Sequence, residues 1–163
     1  MLAWSEVSDE FAWEGSWRDI CITDTSISDW QATWEMLRSG DRDLNYFVDG
    51  ENAAPPENVV EIFARPRERT FLLAVLVAGA RLNCHFFCEL EIEFDLDPRQ
   101  IVGQAQLDAV LAFMADLAAV TGKISTMTPE NAHDAPFLSV TPSAKSKYIS
   151  THGFFRDLAF QKP

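Results

Sequence analysis

Residues 71–97 read FLLAVLVAGARLNCHFFCELEIEFDLD, and no other stretch limits the fold as strongly. Its first seven residues are apolar at every position. A run this short, rich in branched and aromatic side chains, predicts a strand covered on both faces. Gly79 predicts a reversal across residues 78–80. From Arg81 the pattern becomes strict alternation. Leu82, Cys84, Phe86, Cys88, Leu90, Ile92, Phe94 and Leu96 take one side. Arg81, Asn83, His85, Phe87, Glu89, Glu91, Glu93, Asp95 and Asp97 take the other. A strand has a side-chain period of two, so one face meets a core and the other something polar. Residues 81–97 outrun the usual strand of roughly 3–10 residues, which predicts a bulge, bend or second turn near 87–89.

Five acids, Glu89, Glu91, Glu93, Asp95 and Asp97, then repeat every ~6.5–7 Å along one face. Such a row repels itself and calls for cations, arginines or water nearby. Arg65, Arg67 and Arg69 share the spacing of two just upstream. A three-residue hairpin loop would set Arg69 against Glu89, Arg67 against Glu91 and Arg65 against Glu93. A two-residue loop instead matches Phe71, Leu73 and Val75 to Phe86, Cys84 and Leu82, and sends the arginines to the other face. Pro66 argues against a regular central strand there.

The rest of the chain supplies helices and shorter strands. Trp4, Phe11 and Trp13 lie among acids in residues 1–14, either an arm packing its aromatics on the domain or a mobile end. Residues 17–23 predict a strand. Ser28 with Gln31 suits a capping box for a helix over 28–39, with Trp30, Trp34 and Leu37 on one stripe and Gly40 as its stop. The two tryptophans are read as core rather than as a stacking platform for a ligand. Residues 44–48 predict a second strand. Pro56 suits the first turn of a short helix through Phe63. Asp97 caps a turn at Pro98, and Gly103 restarts the backbone. A helix over 104–121 presents Leu107, Val110, Leu111, Met114, Leu117 and Ala118, closed by Gly122. Short strands come next at 124–127 and 137–140, around a turn-rich loop. Residues 141–163 are a basic, then aromatic, segment expected to dock on the domain. The order implies a single α+β domain, 1–163, with a mainly antiparallel sheet and the two principal helices packed on one face.

Charge narrows the partners. The net charge is −12, and residues 1–60 carry 13 acids against 3 bases, whereas residues 101–163 carry 5 of each. Nucleic acid requires a basic footprint and is excluded, and an anionic membrane surface is disfavoured on the same ground. The longest uncharged apolar run is half of a membrane span, and the first residues lack a secretory signal's basic and apolar regions. Three cysteines without scaffold spacing suggest reduced thiols in a cytoplasmic protein.

Catalytic signatures are weak. Cys84-His85-x-x-Cys88 invites a zinc reading, but in a strand the two sulfurs lie about 13 Å apart with His85 turned away. There is no nucleophile elbow and no phosphate-cradling glycine loop. His133 and His152 fall in loops and read as exposed. The remaining constellation is His85 with Glu89, Glu91, Glu93 and Asp95, an oxygen-rich face that suits magnesium, manganese or calcium, or acid–base chemistry. Three functions are expected from these features. The first is a non-catalytic, acidic protein-binding domain without a cofactor, inhibitor-like or immunity-like toward a basic partner. The second is an enzyme dependent on a divalent cation and using His85, Glu89 and Glu91. The third is a self-associating structural subunit.

Overall fold

A computed structural model describes residues 2–40, 42–64 and 68–150. These residues form a nine-stranded antiparallel sheet and four α-helices. The strands are β1 (Arg18–Thr23), β2 (Asp43–Val48), β3 (Glu51–Asn52), β4 (Phe71–Val77), β5 (Ala80–Cys84), β6 (Glu91–Leu96), β7 (Ser125–Pro129), β8 (Leu138–Val140) and β9 (Ser146–Tyr148). Across the sheet they run β3-β2-β4-β5-β6-β1-β7-β8-β9. The helices are α1 (Trp4–Val7), α2 (Ile27–Ser39), α3 (Val60–Phe63) and α4 (Gln104–Thr121). The architecture is α+β, as the sequence implies, with α2 and α4 packed together and against strands.

The register of the central hairpin is the one favoured by apolar matching. Leu73 pairs with Cys84 and Val75 with Leu82 around a two-residue turn, Ala78-Gly79. The arginine–carboxylate ladder therefore does not form. Arg69 instead donates from Nε to Asp49 Oδ2 at 2.8 Å, and Glu89 lies exposed in a turn. Arg65 and Arg67 fall outside the described residues. Nor is β4 covered on both faces: Phe71, Leu73 and Val75 are buried, but Leu76 is exposed.

The alternation also stops where its length demanded. Phe86 adopts a left-handed backbone, φ 56°, which turns the chain out of β5 while its ring stays buried. Cys88 and Leu90, expected inside, are consequently exposed. The pattern resumes in β6, where Ile92, Phe94 and Leu96 are fully buried and Glu91, Glu93 and Asp95 face the other way. β5 and β6 share two residue pairs, Leu82–Leu96 and Asn83–Asp95, whereas β6 and β1 share six. The sheet thus has a short seam at its middle.

Beneath the sheet Trp30, Trp34 and Leu37 from α2 meet Leu107, Val110, Phe113, Met114 and Leu117 from α4. Phe113, absent from the expected stripe, packs edge-on against Phe94 at 5.1 Å. The α2 cap is Ser26, two residues before the expected Ser28: its hydroxyl accepts from Asp29 N, and Asp29 accepts from Ser26 N. Gln31 is free for another task and accepts from Val59 N at 2.9 Å. The second helix is shorter than expected, since residues 53–58 are loop. Gly122 ends α4 with φ 68°, where a side chain would be strained.

The N-terminal segment packs rather than dangles. Val7 and Phe11 are buried, and Phe11 meets Phe137 edge-on at 5.9 Å. Arg18, 3% exposed, holds it: Nε donates to Glu10 O at 2.6 Å, and the terminal nitrogens reach Ser16 O, Trp17 O and Glu14 Oε1. β9 went unforeseen in the polar 141–150 stretch; the aromatic end at 154–160 lies outside the described residues. No helix among the described residues is long and apolar enough to cross a membrane.

Candidate functional site

The face of the sheet opposite α2 and α4 carries the chemistry, and strand register builds it. In one row, Asn83 pairs with Asp95, Asp95 with Asp19, and Asp19 with Thr128. In the next, Glu93 pairs with Cys21 and Cys21 with Thr126; Glu91 pairs with Thr23. Directly opposed residues in an antiparallel sheet point the same way, so Asp19, Glu91, Glu93 and Asp95 share one surface. Two carboxylates opposed across strands, Asp19 and Asp95, repel each other.

Neighbouring groups answer that repulsion unevenly. Asp95 accepts from Asn83 Nδ2 at 2.8 Å and lies 3.0 Å from His85 Nε2. His85 stacks on Phe87, ring centres 5.3 Å apart. Arg81 Nε donates to Asn83 Oδ1, extending the chain of contacts outward. Asp19 is 4% exposed, and its Oδ2 accepts from Asn131 N at 2.8 Å. Burial holds the Asp19 carboxyl above its usual range, against the Asn131 hydrogen bond and helped by Asp95 and Glu130. Burial likewise raises Glu93, with Asp19 and Glu91 adding to it. His85 is raised, chiefly by its hydrogen bond to Asp95. Burial pushes the Cys21 thiol far up, with Glu91 and Glu93 behind it.

A loop from β7 to β8 closes one flank. Glu130 N donates to Trp17 O, and Trp17 N donates back to Glu130 Oε2 at 2.9 Å. With Asn131 tied to Asp19, this loop sets His133 over β1. His133 Nδ1 lies 3.1 Å from Glu91 Oε1 and 3.7 Å from Cys21 Sγ. Between the loop and β5 lies a cleft of about 550 Å³ lined by Asp19, Glu93, Asp95 and Glu130, with Trp17 and Phe87 among its apolar walls and Arg81 as a cation.

Of the five residues singled out from sequence, His85, Glu93 and Asp95 line this cleft. Glu91 sits beside it against His133, and Glu89 is apart in its turn, where its carbonyl accepts from Thr25 Oγ1. His85, Glu89 and Glu91 therefore do not converge as the cation-dependent enzyme required. Cys84 is buried in the core and Cys88 exposed, so the Cys-His-x-x-Cys set is dispersed as well. Asp19, Cys21 and Glu130 escaped the sequence reading, and His133 was read only as an exposed loop histidine. The alternation of Asp19 and Cys21 with Ile20 and Ile22 in RDICIT was their one visible sign. Comparison with protein-family models, with curated proteins and with solved structures finds no match.

Proposed function

We propose that this chain is a non-catalytic binding domain for a basic protein, whose arginine or lysine side chain enters the acidic cleft. The observation that carries this reading is the lining: four carboxylates, from Asp19, Glu93, Asp95 and Glu130, in one concavity with two aromatic rings. Its size falls in the range of pockets that enclose a ligand group, roughly 300–1,000 Å³. A guanidinium fits such a place doubly, pairing with carboxylates in its plane and stacking on Trp17 or Phe87 with its face. Phe87 and Leu90, 74% and 70% exposed, offer apolar contact beside the charges. The net charge of −12 steers a basic partner toward the chain. An inhibitor-like or immunity-like role in the cytoplasm is the most concrete form.

The test is calorimetric titration with arginine-bearing peptides at low and at high salt. The expectation is binding at low salt that weakens with salt and is lost in a Glu93→Gln, Asp95→Asn double variant. An acidic peptide of equal length should not bind. Absence of binding at low salt, or binding indifferent to the double variant, overturns the reading.

A further inference from the structure

Beside the cleft, four side chains bring three kinds of donor together. Cys21 from β1, Glu91 and Glu93 from β6, and His133 from the β7–β8 loop each offer one ligand atom, and all four atoms lie within 4.8 Å of one another. Of the four, Glu93 alone also lines the cleft, and the proposal for the cluster does not rest on the peptide reading.

We propose that Cys21, Glu91, Glu93 and His133 form a site for a divalent transition-metal ion, zinc by the chemistry of its donors. A sulfur, an imidazole nitrogen and two carboxylate oxygens make the mixed set that zinc takes in four-coordinate sites, whereas magnesium and calcium call for oxygen alone. Bonds of about 2.0–2.3 Å place tetrahedral donors about 3.3–3.8 Å apart. His133 Nδ1 already lies 3.1 Å from Glu91 Oε1 and 3.7 Å from Cys21 Sγ, and the widest spacing in the cluster needs a contraction of about 1 Å.

Three features of the surroundings support a cation here. Cys21 is 2% exposed, so its sulfur is held from one fixed direction on the central strand. Asp19, also buried, adds a third carboxylate on the same strand, across from Asp95. Trp30, 2% exposed, has an indole N–H without an acceptor among the described residues, and it borders a void of about 30 Å³ with Glu91 and Glu93. That void is large enough for one water, which needs about 10–15 Å³. A water there would accept from the indole beside Glu91 and Glu93; Cys21 and His133 do not border the void.

The constellation differs from the expected one. The oxygen-rich reading placed His85 and Glu89 around a hard cation. The β1–β6 pairing substitutes a cysteine and the loop histidine, which moves the preference to a softer ion.

Cobalt(II) tests the site on the full chain, because a thiolate ligand gives a charge-transfer absorption that oxygen and nitrogen ligands do not. The expectation is one cobalt per chain with a thiolate band, displaced by one equivalent of zinc and unaffected by excess magnesium or calcium. Cys21→Ser should abolish the band, whereas Cys84→Ser and Cys88→Ser should keep it. His133→Ala, at a half-exposed loop side chain, should weaken zinc at least about tenfold. Zinc should raise the melting temperature of the native chain and raise that of His133→Ala less. No band, a band surviving Cys21→Ser, or a band lost with Cys88→Ser overturns the proposal.

Discussion

Asp95 is shared: Asn83 Nδ2 holds one carboxylate oxygen at 2.8 Å, and His85 Nε2 lies 3.0 Å from the other. The contact raises His85 above the ordinary imidazole value of 6.5. A histidine with a raised folded value contributes stability below its unfolded value and loses it as pH rises through the folded one. Asp95→Asn should therefore destabilise the chain at pH 5.5 and do so less, or not at all, at pH 8, where it also relieves Asp19. Urea unfolding at the two pH values measures the difference. A chemical-shift titration should show the His85 imidazole moving back toward its ordinary value in the variant.

Glu93 shifts stability with pH in the same direction, but its effect appears at the upper end of the range. Its carboxyl is raised from 4.5 by burial and by Asp19 and Glu91, so ionising it opposes folding. A carboxyl raised in this way costs nothing below its unfolded value, and its penalty grows as pH climbs through the folded one. Glu93→Gln should raise the melting temperature at pH 7 in metal-free buffer and leave it unchanged near pH 4. With zinc present the sign at pH 7 should reverse, because the variant has lost a ligand. Thermal melts in chelator and in zinc give both readings.

The turn joining β4 and β5 is improvable. Ala78 and Gly79 both have positive φ, 48° and 87°, as a two-residue hairpin turn of the mirror-image kind requires. Asp49-Gly50 solves the same problem at φ 53° and 82° with a residue that tolerates the left-handed region. Alanine does not, so Ala78→Asn should stabilise the protein by about 0.5–1 kcal/mol, read as a higher urea midpoint at unchanged slope.

Arg18 anchors the N-terminal segment to β1 through carbonyls of Glu10, Ser16 and Trp17. Arg18→Ala removes the Arg18 donor from Glu10 O and Ser16 O, while Trp17 O keeps Glu130 N, and should cost roughly 2–4 kcal/mol. Lysine cannot reproduce the planar fork, so Arg18→Lys should recover less than half of that loss. Hydrogen exchange should show protection falling first at Val7 and Phe11.

Local contacts were legible in the sequence, and distant ones were not. Period-two alternation located Ile92, Phe94 and Leu96 inside and Glu91, Glu93 and Asp95 outside, because β6 obeys it throughout. Of the two registers left open by the sequence, the structure takes the one that matches Leu73 with Cys84 and Val75 with Leu82, and the ladder lies one residue out of step. Cys88, Glu89 and Leu90 were misplaced since a turn carries no memory of the strand before it. Asp19, Cys21 and His133 were beyond reach for another reason. Cys21 meets Glu93 and His133 through pairings and a loop that join distant parts of the chain, and nothing in the local pattern of any one of these segments names the others.

The two-pair seam between β5 and β6 gives the cleft a mechanical meaning. Asn83 and His85 stand on one wing of the sheet, Asp95 and Glu93 on the other, so the wall of the depression is also the join between the wings. A guest gripping both sides acts as a rivet: it should suppress breathing along that join and bring the halves to melt together, whereas the empty protein loosens there first.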